Sequence, residues 1–339
     1  MGALSAENAE KRGGKNMLVP VLLFALGLVL LIKGGDWFVD GASGLAHRFH
    51  LPELLIGATV VSIGTTLPEV MVSAQAALQH NSGISYGNAI GSIICNTSLI
   101  AALTIAIRPS RVNKKTLRLP VAAFFIAAVI YAAIAYTTGT FERWQGIMFL
   151  TLFVCYMIIT VLQMKKNPDE APEAEEEEPA KERALWLELV FLAVGAAAIA
   201  VGARLLVDNG TKIAAALGVP DSVIGLTMVA LGTSLPELVT AITALAKGHS
   251  ALSLGNIIGA NLFNIVLVSG AAITISPFAI PVEKTLLGHN ASLLVDLPVM
   301  FCVMLILCVP ALAKGKLARW QGILLLAIYT AFTAFQFIV

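Results

Sequence analysis

Apolar residues run along the chain in long stretches separated by short polar ones. A helix that crosses a bilayer needs about 20 consecutive apolar residues. On that measure the pattern predicts ten spanning segments, at roughly 17–48, 52–79, 85–107, 119–139, 143–164, 184–217, 220–246, 253–275, 290–312 and 318–338. Residues 1–16 form a polar tail, and the run that follows is long enough for a mature spanning helix rather than a cleaved leader. Residues 165–183, KKNPDEAPEAEEEEPAKER, hold three prolines and eight acids, which predicts a solvated linker. It divides the chain into two five-helix halves, 17–164 and 184–339. The expected fold class is an all-α integral membrane protein.

The polar positions inside the apolar runs repeat. GATVVSIGTTLPE spans Gly57–Glu69 and GLTMVALGTSLPE spans Gly225–Glu237, 168 positions apart and identical at eight of thirteen places. The same offset pairs Gly27 with Gly195, Gly34 with Gly202, Asp40 with Asp208, Pro52 with Pro220, Gly87-Asn88 with Gly255-Asn256, Gly91 with Gly259, and Asn96 with Asn264. RWQGI recurs at Arg143–Ile147 and Arg319–Ile323, the offset having grown to 176. An odd number of spans per repeat makes the second copy enter the bilayer from the other side. The expected architecture is therefore two inverted repeats, with a substrate site at their interface near the midplane.

Composition narrows the function classes. The chain is 58% hydrophobic and 13% charged, with a mean hydropathy of +0.85, against about a quarter charged residues in soluble domains. No basic stripe exists for nucleic acid. No nucleophile–base pair stands out, and no loop is large enough for a soluble catalytic domain, so an enzyme is not expected. The four cysteines lie inside apolar segments without CxxC spacing and read as packing residues, Cys95 adjoining a repeated motif. Arg108, Arg111, Lys114, Lys115 and Arg118, with Lys165, Lys166, Lys314, Lys316 and Arg319, fall on one face, which the positive-inside rule makes cytoplasmic. Both termini are then outside and the acidic linker is cytoplasmic. Lys11, Arg12 and Lys15 in the tail vote the other way.

The repeated stretch carries the chemistry. A carboxylate in lipid costs a few kcal/mol on insertion scales, and its default reading is functional. Neither motif contains a Lys or Arg to pair with Glu69 or Glu237. Pro68 and Pro236 clash with the carbonyls of Gly64 and Gly232, which predicts helix breaks and freed carbonyls near 62–65 and 230–233. With the hydroxyls of Thr65, Thr66, Thr233 and Ser234, this is an oxygen-rich, hard-cation environment that suits calcium. Histidine and cysteine are not placed for zinc or copper. Two negative charges balance one divalent or two monovalent ions, and with neither between them they repel. Asn88, Ser92 and Asn96 share one helix face, as do Asn256, Ala260 and Asn264, and this amide-and-hydroxyl stripe is expected to complete the shell. Asp36, Asp40, Lys33, Arg204, Asp208 and Lys212 read as helix-end or locally paired charges.

GTTLPE and GTSLPE, each followed by a GN-x-x-G-[SA] helix, resemble the two alpha repeats of the calcium/cation antiporter superfamily, most of all its prokaryotic sodium/calcium exchanger branch. The resemblance covers nearly the whole chain. It implies four cation sites in the core, with Glu69 and Glu237 as central calcium ligands helped by Thr65 and Thr233. It implies sodium positions drawing on Thr66, Ser234, Ser92, Asn96 and Asn264 and on the carbonyls of Ser62 and Ala230. It also implies that the first and sixth helices slide across the rest to alternate access. Ala260 stands where relatives often carry serine, and Asn264 where several, potassium-dependent ones included, carry aspartate. The GNA-x-E signature of proton-coupled relatives is absent.

The expected function is exchange of Ca2+ for Na+ across a cell membrane, by a monomer in the lipid bilayer. No cofactor is expected besides the transported Ca2+ and Na+ as bound ions. The alternatives are a proton/calcium exchanger, a potassium-dependent sodium/calcium exchanger and, from another class, a cation channel. A channel would show conductance without a counter-ion.

Overall fold

The structure, a computed structural model, describes residues 17–166, 183–217, 230–282, 285–286 and 288–338. The polar tail, nearly all of the acidic linker, and the start of the second repeated stretch, including Pro220 and Gly225, lie outside the described residues.

The chain is helical: α1 is Leu18–Arg48, α2 Glu53–Leu78, α3 Ser82–Ile107, α4 Lys114–Thr137, α5 Arg143–Lys166 and α6 Leu185–Ala216. A single turn, Ala230–Thr233, leads into α7, Leu235–Ala246, followed by α8 Ser250–Ile275, α9 Ser292–Lys314 and α10 Arg319–Ile338. Among the described residues eight of these helices are long and apolar enough to cross a membrane, namely α1–α6, α8 and α9. Their ends follow local chemistry. The Asn81 side chain accepts from Ile84 N at 3.0 Å to start α3, and Asn113 accepts from Lys115 N at 3.0 Å to start α4. Gly315, at φ +66°, stops α9. Short two-residue strands join the loops: β1 Thr140–Phe141 pairs antiparallel with β2 Phe278–Ala279, and β3 Thr285–Leu286 with β4 His289–Asn290.

The predicted breaks at the two prolines differ. α2 runs through Pro68 without interruption, and its irregularity is a wide π-helical turn at Gly57–Val61. In the second copy the break is present: Ser234 leaves helical geometry at φ −90°, ψ 4°, and Pro236 sits in the first turn of α7. There its missing N–H has no helical partner to lose. Matching wide turns appear where the pattern gave no warning, at Asn96–Ala101 in α3 and Asn264–Ser269 in α8.

Helices pack in lipid through close van der Waals contact at small residues, and the contacts here are exchanged between the halves. A Cβ on Gly27 would lie 2.8 Å from the Gly202 carbonyl, and one on Gly202 2.8 Å from the Gly27 carbonyl. Gly34 likewise meets the Gly195 carbonyl at 3.0 Å, so α1 and α6 run antiparallel along a glycine seam. Gly146 of α5 abuts Gly270 and Thr274 of α8, and its counterpart Gly322 of α10 abuts Ala102 and Ala106 of α3. Arg143 donates to the Ile275 carbonyl at 3.3 Å, Arg319 to that of Ile107 at 3.4 Å.

The connections sort to two ends. At one, Leu317 N donates to Ser110 O at 2.9 Å, Lys247 pairs with Asp40 at 2.6 Å, His249 with Glu53 at 2.7 Å, and Arg48 donates to Arg183 O at 3.1 Å. At the other, β1 meets β2, Ile280 N donates to Gly139 O at 2.8 Å, and His80 Nδ1 lies 3.0 Å from Ser276 Oγ. Lys33–Asp36 and Arg204–Asp208 are local pairs, as their spacing predicts. Trp144, Trp186 and Trp320 are exposed, as are large aliphatic residues such as Leu22, Val29, Ile126 and Ile158. Cys95 and Cys308 are buried packing residues, whereas Cys155 and Cys302 face outward.

Candidate cation site

α2 and α7 carry Glu69 and Glu237 into the interior, each fully buried. Among the described residues neither pairs with a basic group, and all four carboxylate oxygens lack a hydrogen-bond partner within the protein. The two are near enough to act on each other electrostatically. The hydroxyls of Thr66 and Ser234, one turn before the acids, are also buried and unpartnered, as are the whole side-chain amides of Asn96 and Asn264. Each asparagine opens the wide turn of its helix, a feature frequent at functional sites. Three repeat-related pairs of polar side chains are therefore buried with no group among the described residues to satisfy them, and buried polar groups are otherwise hydrogen-bonded. The idealised cost of burying a carboxylate is of order 20 kcal/mol and remains several after relaxation. Two without a base require positive charge from elsewhere.

The remaining expected residues divide. The Thr65 hydroxyl stands beside the Glu237 carboxylate, while its hydrogen bond goes to Asn256 Oδ1 at 3.2 Å. The Ser62 hydroxyl donates to Gly57 O at 2.8 Å and Asn256 O at 2.9 Å, and the Ser62 carbonyl lies 3.5 Å from the Thr65 hydroxyl. Ser92 is buried one turn before Asn96, whereas its counterpart Ala260 has no hydroxyl to offer. Thr233 is half-buried at the end of the turn that Ala230 opens.

Asn88 departs from the expected stripe. Its amide donates to the Glu69 carbonyl at 3.1 Å and to Ser73 Oγ at 2.8 Å, so it holds the backbone of the acid rather than facing its carboxylate. Its counterpart Asn256 is fully buried, binds Ser62 and Thr65 through its oxygen, and leaves its amide nitrogen unpartnered. Thr240, three residues after Glu237, is buried with a free hydroxyl as well. Sequence reasoning passed over Thr240, although the i, i+3 spacing placed it on the glutamate's face.

Two clefts approach this cluster. One, a narrow crevice without room for a water molecule, lies between Phe38 of α1, Ala196, Ile199 and Ala200 of α6, and the motif residues Thr65, Pro68 and Pro236. The other, of about 210 Å³, opens at the end carrying His80 and Ser276 and includes Ser85. From there a polar thread leads inward: Ser85 donates to Ser73 O at 3.1 Å, and Asn88 links Ser73 to Glu69.

The family described as "Sodium/calcium exchanger protein" matches twice, over residues 19–162 and 187–338, once in each half. An uncharacterised membrane protein of Methanocaldococcus jannaschii is 39% identical, covering 92% of this chain and 96% of that one. The sodium/calcium exchanger MaX1 of Methanosarcina acetivorans is 31% identical, covering 94% and 99% respectively. Among solved structures, the sodium-calcium exchanger NCX_Mj soaked with 2.5 mM Na+ and 10 mM Sr2+ superposes with a TM-score of 0.78 at 36% identity, covering 94% of this chain and 99% of that one.

Proposed function

The chain belongs to the sodium/calcium exchanger protein family, and from that premise we propose that it exchanges Ca2+ for Na+ by alternating access, with Glu69 and Glu237 as the central cation ligands. The observation that carries this reading is the pair of fully buried, repeat-related carboxylates that, among the described residues, have no base and no hydrogen-bond donor on any oxygen. One Ca2+ or two Na+ neutralises them. A state with neither leaves two like charges in a medium of low dielectric, which makes passage of the empty carrier costly and the exchange obligatory.

Thr65, Thr66, Ser234, Thr233, Ser92, Asn96 and Asn264, with the carbonyls of Ser62 and Ala230, supply the neutral oxygens. Hard cations favour such a shell. In the proposed architecture residues 17–164 and 184–339 are inverted five-helix repeats making ten spans, the acidic linker is cytoplasmic and both termini are outside. The exchanged glycine contacts support it, because residues related by the repeat touch reciprocally, as a two-fold axis requires. α1 and α6, packed on each other, are the pair whose movement carries Phe38 of α1 past the two prolines and opens the site to one side and then the other.

The test is calcium uptake into proteoliposomes loaded with sodium, potassium or neither, with the pH gradient clamped, run beside Glu69→Gln. Uptake that needs internal sodium and is lost in the variant is the expected result. Uptake driven by a pH gradient without sodium makes the protein a proton/calcium exchanger, and a requirement for potassium together with calcium makes it potassium-dependent. Flux without any counter-ion gradient makes it a channel.

A further inference from the structure

α1 lies tightly on one face of the second motif helix, α7. A Cβ on Gly35 would stand 2.8 Å from the Thr243 hydroxyl and 2.8 Å from a Val239 methyl group. Lys247, four residues past Thr243, continues that face and ends it in charge. Its Nζ is 2.6 Å from Asp40 Oδ1 and 3.5 Å from Asp36 Oδ1, and it donates to the Asp36 carbonyl at 3.0 Å. The Lys247 side chain is 27% exposed, so water screens these pairs only in part. The turn that carries Lys247 is itself fixed to the start of α2, where His249 meets Glu53 at 2.7 Å.

The repeat supplies the comparison. At the offset of 168, the counterparts of Gly35, Asp36 and Asp40 are Ala203, Arg204 and Asp208 on α6. Those of Val239, Thr243 and Lys247 are Met71, Gln75 and Gln79 on α2. Met71 is 71% exposed, and Gln75 and Gln79 are exposed as well. Arg204 pairs with Asp208 of its own helix at 3.7 Å. Among the described residues, therefore, α1 covers its face of α7 while α6 leaves the matching face of α2 bare. The bare face leads to the end where the cleft of about 210 Å³ opens. The two related contacts stand in different positions, and the closed one carries the lysine.

We propose that Lys247, with Asp36 and Asp40, is an ionic latch that holds α1 on α7 and keeps the Lys247 end of the site shut, favouring the state open at the other end. It rests on the alternating access proposed above. α1 and α6 share a glycine seam and shear as one body. The Lys247 contacts join that body to the stationary helices, so they break each time this end opens. Partly screened pairs of this kind weight the balance of the two states by roughly two- to fivefold.

The experiment measures half-saturation for calcium from each side, in everted and in right-side-out membrane vesicles loaded with sodium. Half-saturation does not depend on how much of a variant folds, and the ratio of the two values follows the ratio of the two states. Lys247→Gln, which gives this turn the residue of its counterpart, and Asp40→Asn should each lower the value on the Lys247 side and raise it on the other. The ratio should change by roughly two- to fivefold, while Lys247→Arg keeps the native ratio. Gln79→Lys with Arg204→Asp places one lysine and two acids at the other end and should move the ratio the opposite way. A ratio unchanged in both Lys247→Gln and Asp40→Asn, or values that shift in parallel on the two sides, overturns the inference. The native vesicles separate the two failures. Absence of sodium-dependent uptake from either side removes the exchange reading and the latch with it, whereas sodium-dependent uptake with an unchanged ratio in the variants removes the latch alone.

Discussion

At Glu69 and Glu237 two effects of opposite sign meet in one side chain, because the charge proposed to bind the cation is also a charge that folding must bury. Glu69→Gln and Glu237→Gln should therefore lower calcium affinity, by roughly 10–100-fold or more, while leaving stability in chelator equal to or above that of the native protein. Thermal unfolding in detergent with and without calcium measures both. Calcium should raise the melting temperature of the native protein by mass action, and the variants should show little or none of that rise. A variant that unfolds earlier in chelator would mean that the carboxylates hold the fold together rather than the ion. These acids were legible in the sequence because an apolar helix offers them no other use and the repeat placed them twice. Asn256 was not legible in the same way. The repeat equates it with Asn88, yet Ser62 hydrogen-bonds to it and the counterpart of Ser62 is Ala230, which has no hydroxyl. Asn256→Ala takes the side-chain acceptor from the buried Thr65 hydroxyl, while Ser62 keeps the Gly57 and Asn256 backbone carbonyls, and should cost about 1–3 kcal/mol, against about 1 kcal/mol for Asn88→Ala. Equal losses by thermal unfolding would show the two asparagines to be equivalent after all.

Among the elements, α1 and α6 are set by glycine. Lipid supplies no hydrophobic drive between helices, so their attraction depends on how closely the backbones approach. A Cβ at Gly27, Gly34 or Gly202 would meet backbone atoms at 2.8–3.0 Å, and backbone does not give way as a flexible side chain does. Gly202→Val should cost about 1–3 kcal/mol, in the range of overpacked cores, whereas Val29→Ala on the exposed face of α1 should change little. Detergent melting curves compare them, and an unaltered curve for Gly202→Val would remove the seam from the account. The apolar runs outlined these helices well because length and hydropathy suffice for that. They said less about interruptions. The same Leu-Pro-Glu segment lies within a continuous helix at Pro68 and follows a break at Ser234, so proline alone did not decide the backbone. The wide turns at Asn96 and Asn264 have no signature in composition, because a π turn needs only one extra residue between two helical bonds.

For the whole molecule the central consequence is direction. Ser82 and Ser250 are repeat counterparts, each in the first turn of the helix that follows its motif helix. The turn before Ser82 reaches toward Ser276 through His80, while the turn before Ser250 is tied by Lys247 and His249 to Asp40 and Glu53. These are the two opposite ends of α2. Inverted repeats therefore require that a maleimide unable to cross the membrane labels Ser82→Cys and Ser250→Cys from opposite sides, in a background lacking Cys155 and Cys302. Positive-inside bias adds which side is which: Ser250 shares its end with Arg108, whose guanidinium reaches the Leu245 carbonyl, and with the paired loops at Arg111 and Lys316. Ser250→Cys should label from the cytoplasm and Ser82→Cys from outside. Labelling of both from one side would make the duplication parallel. It would also remove the geometric reason for two equivalent acids to meet at mid-membrane, because only an axis in the membrane plane brings matched positions of oppositely directed helices to the same depth.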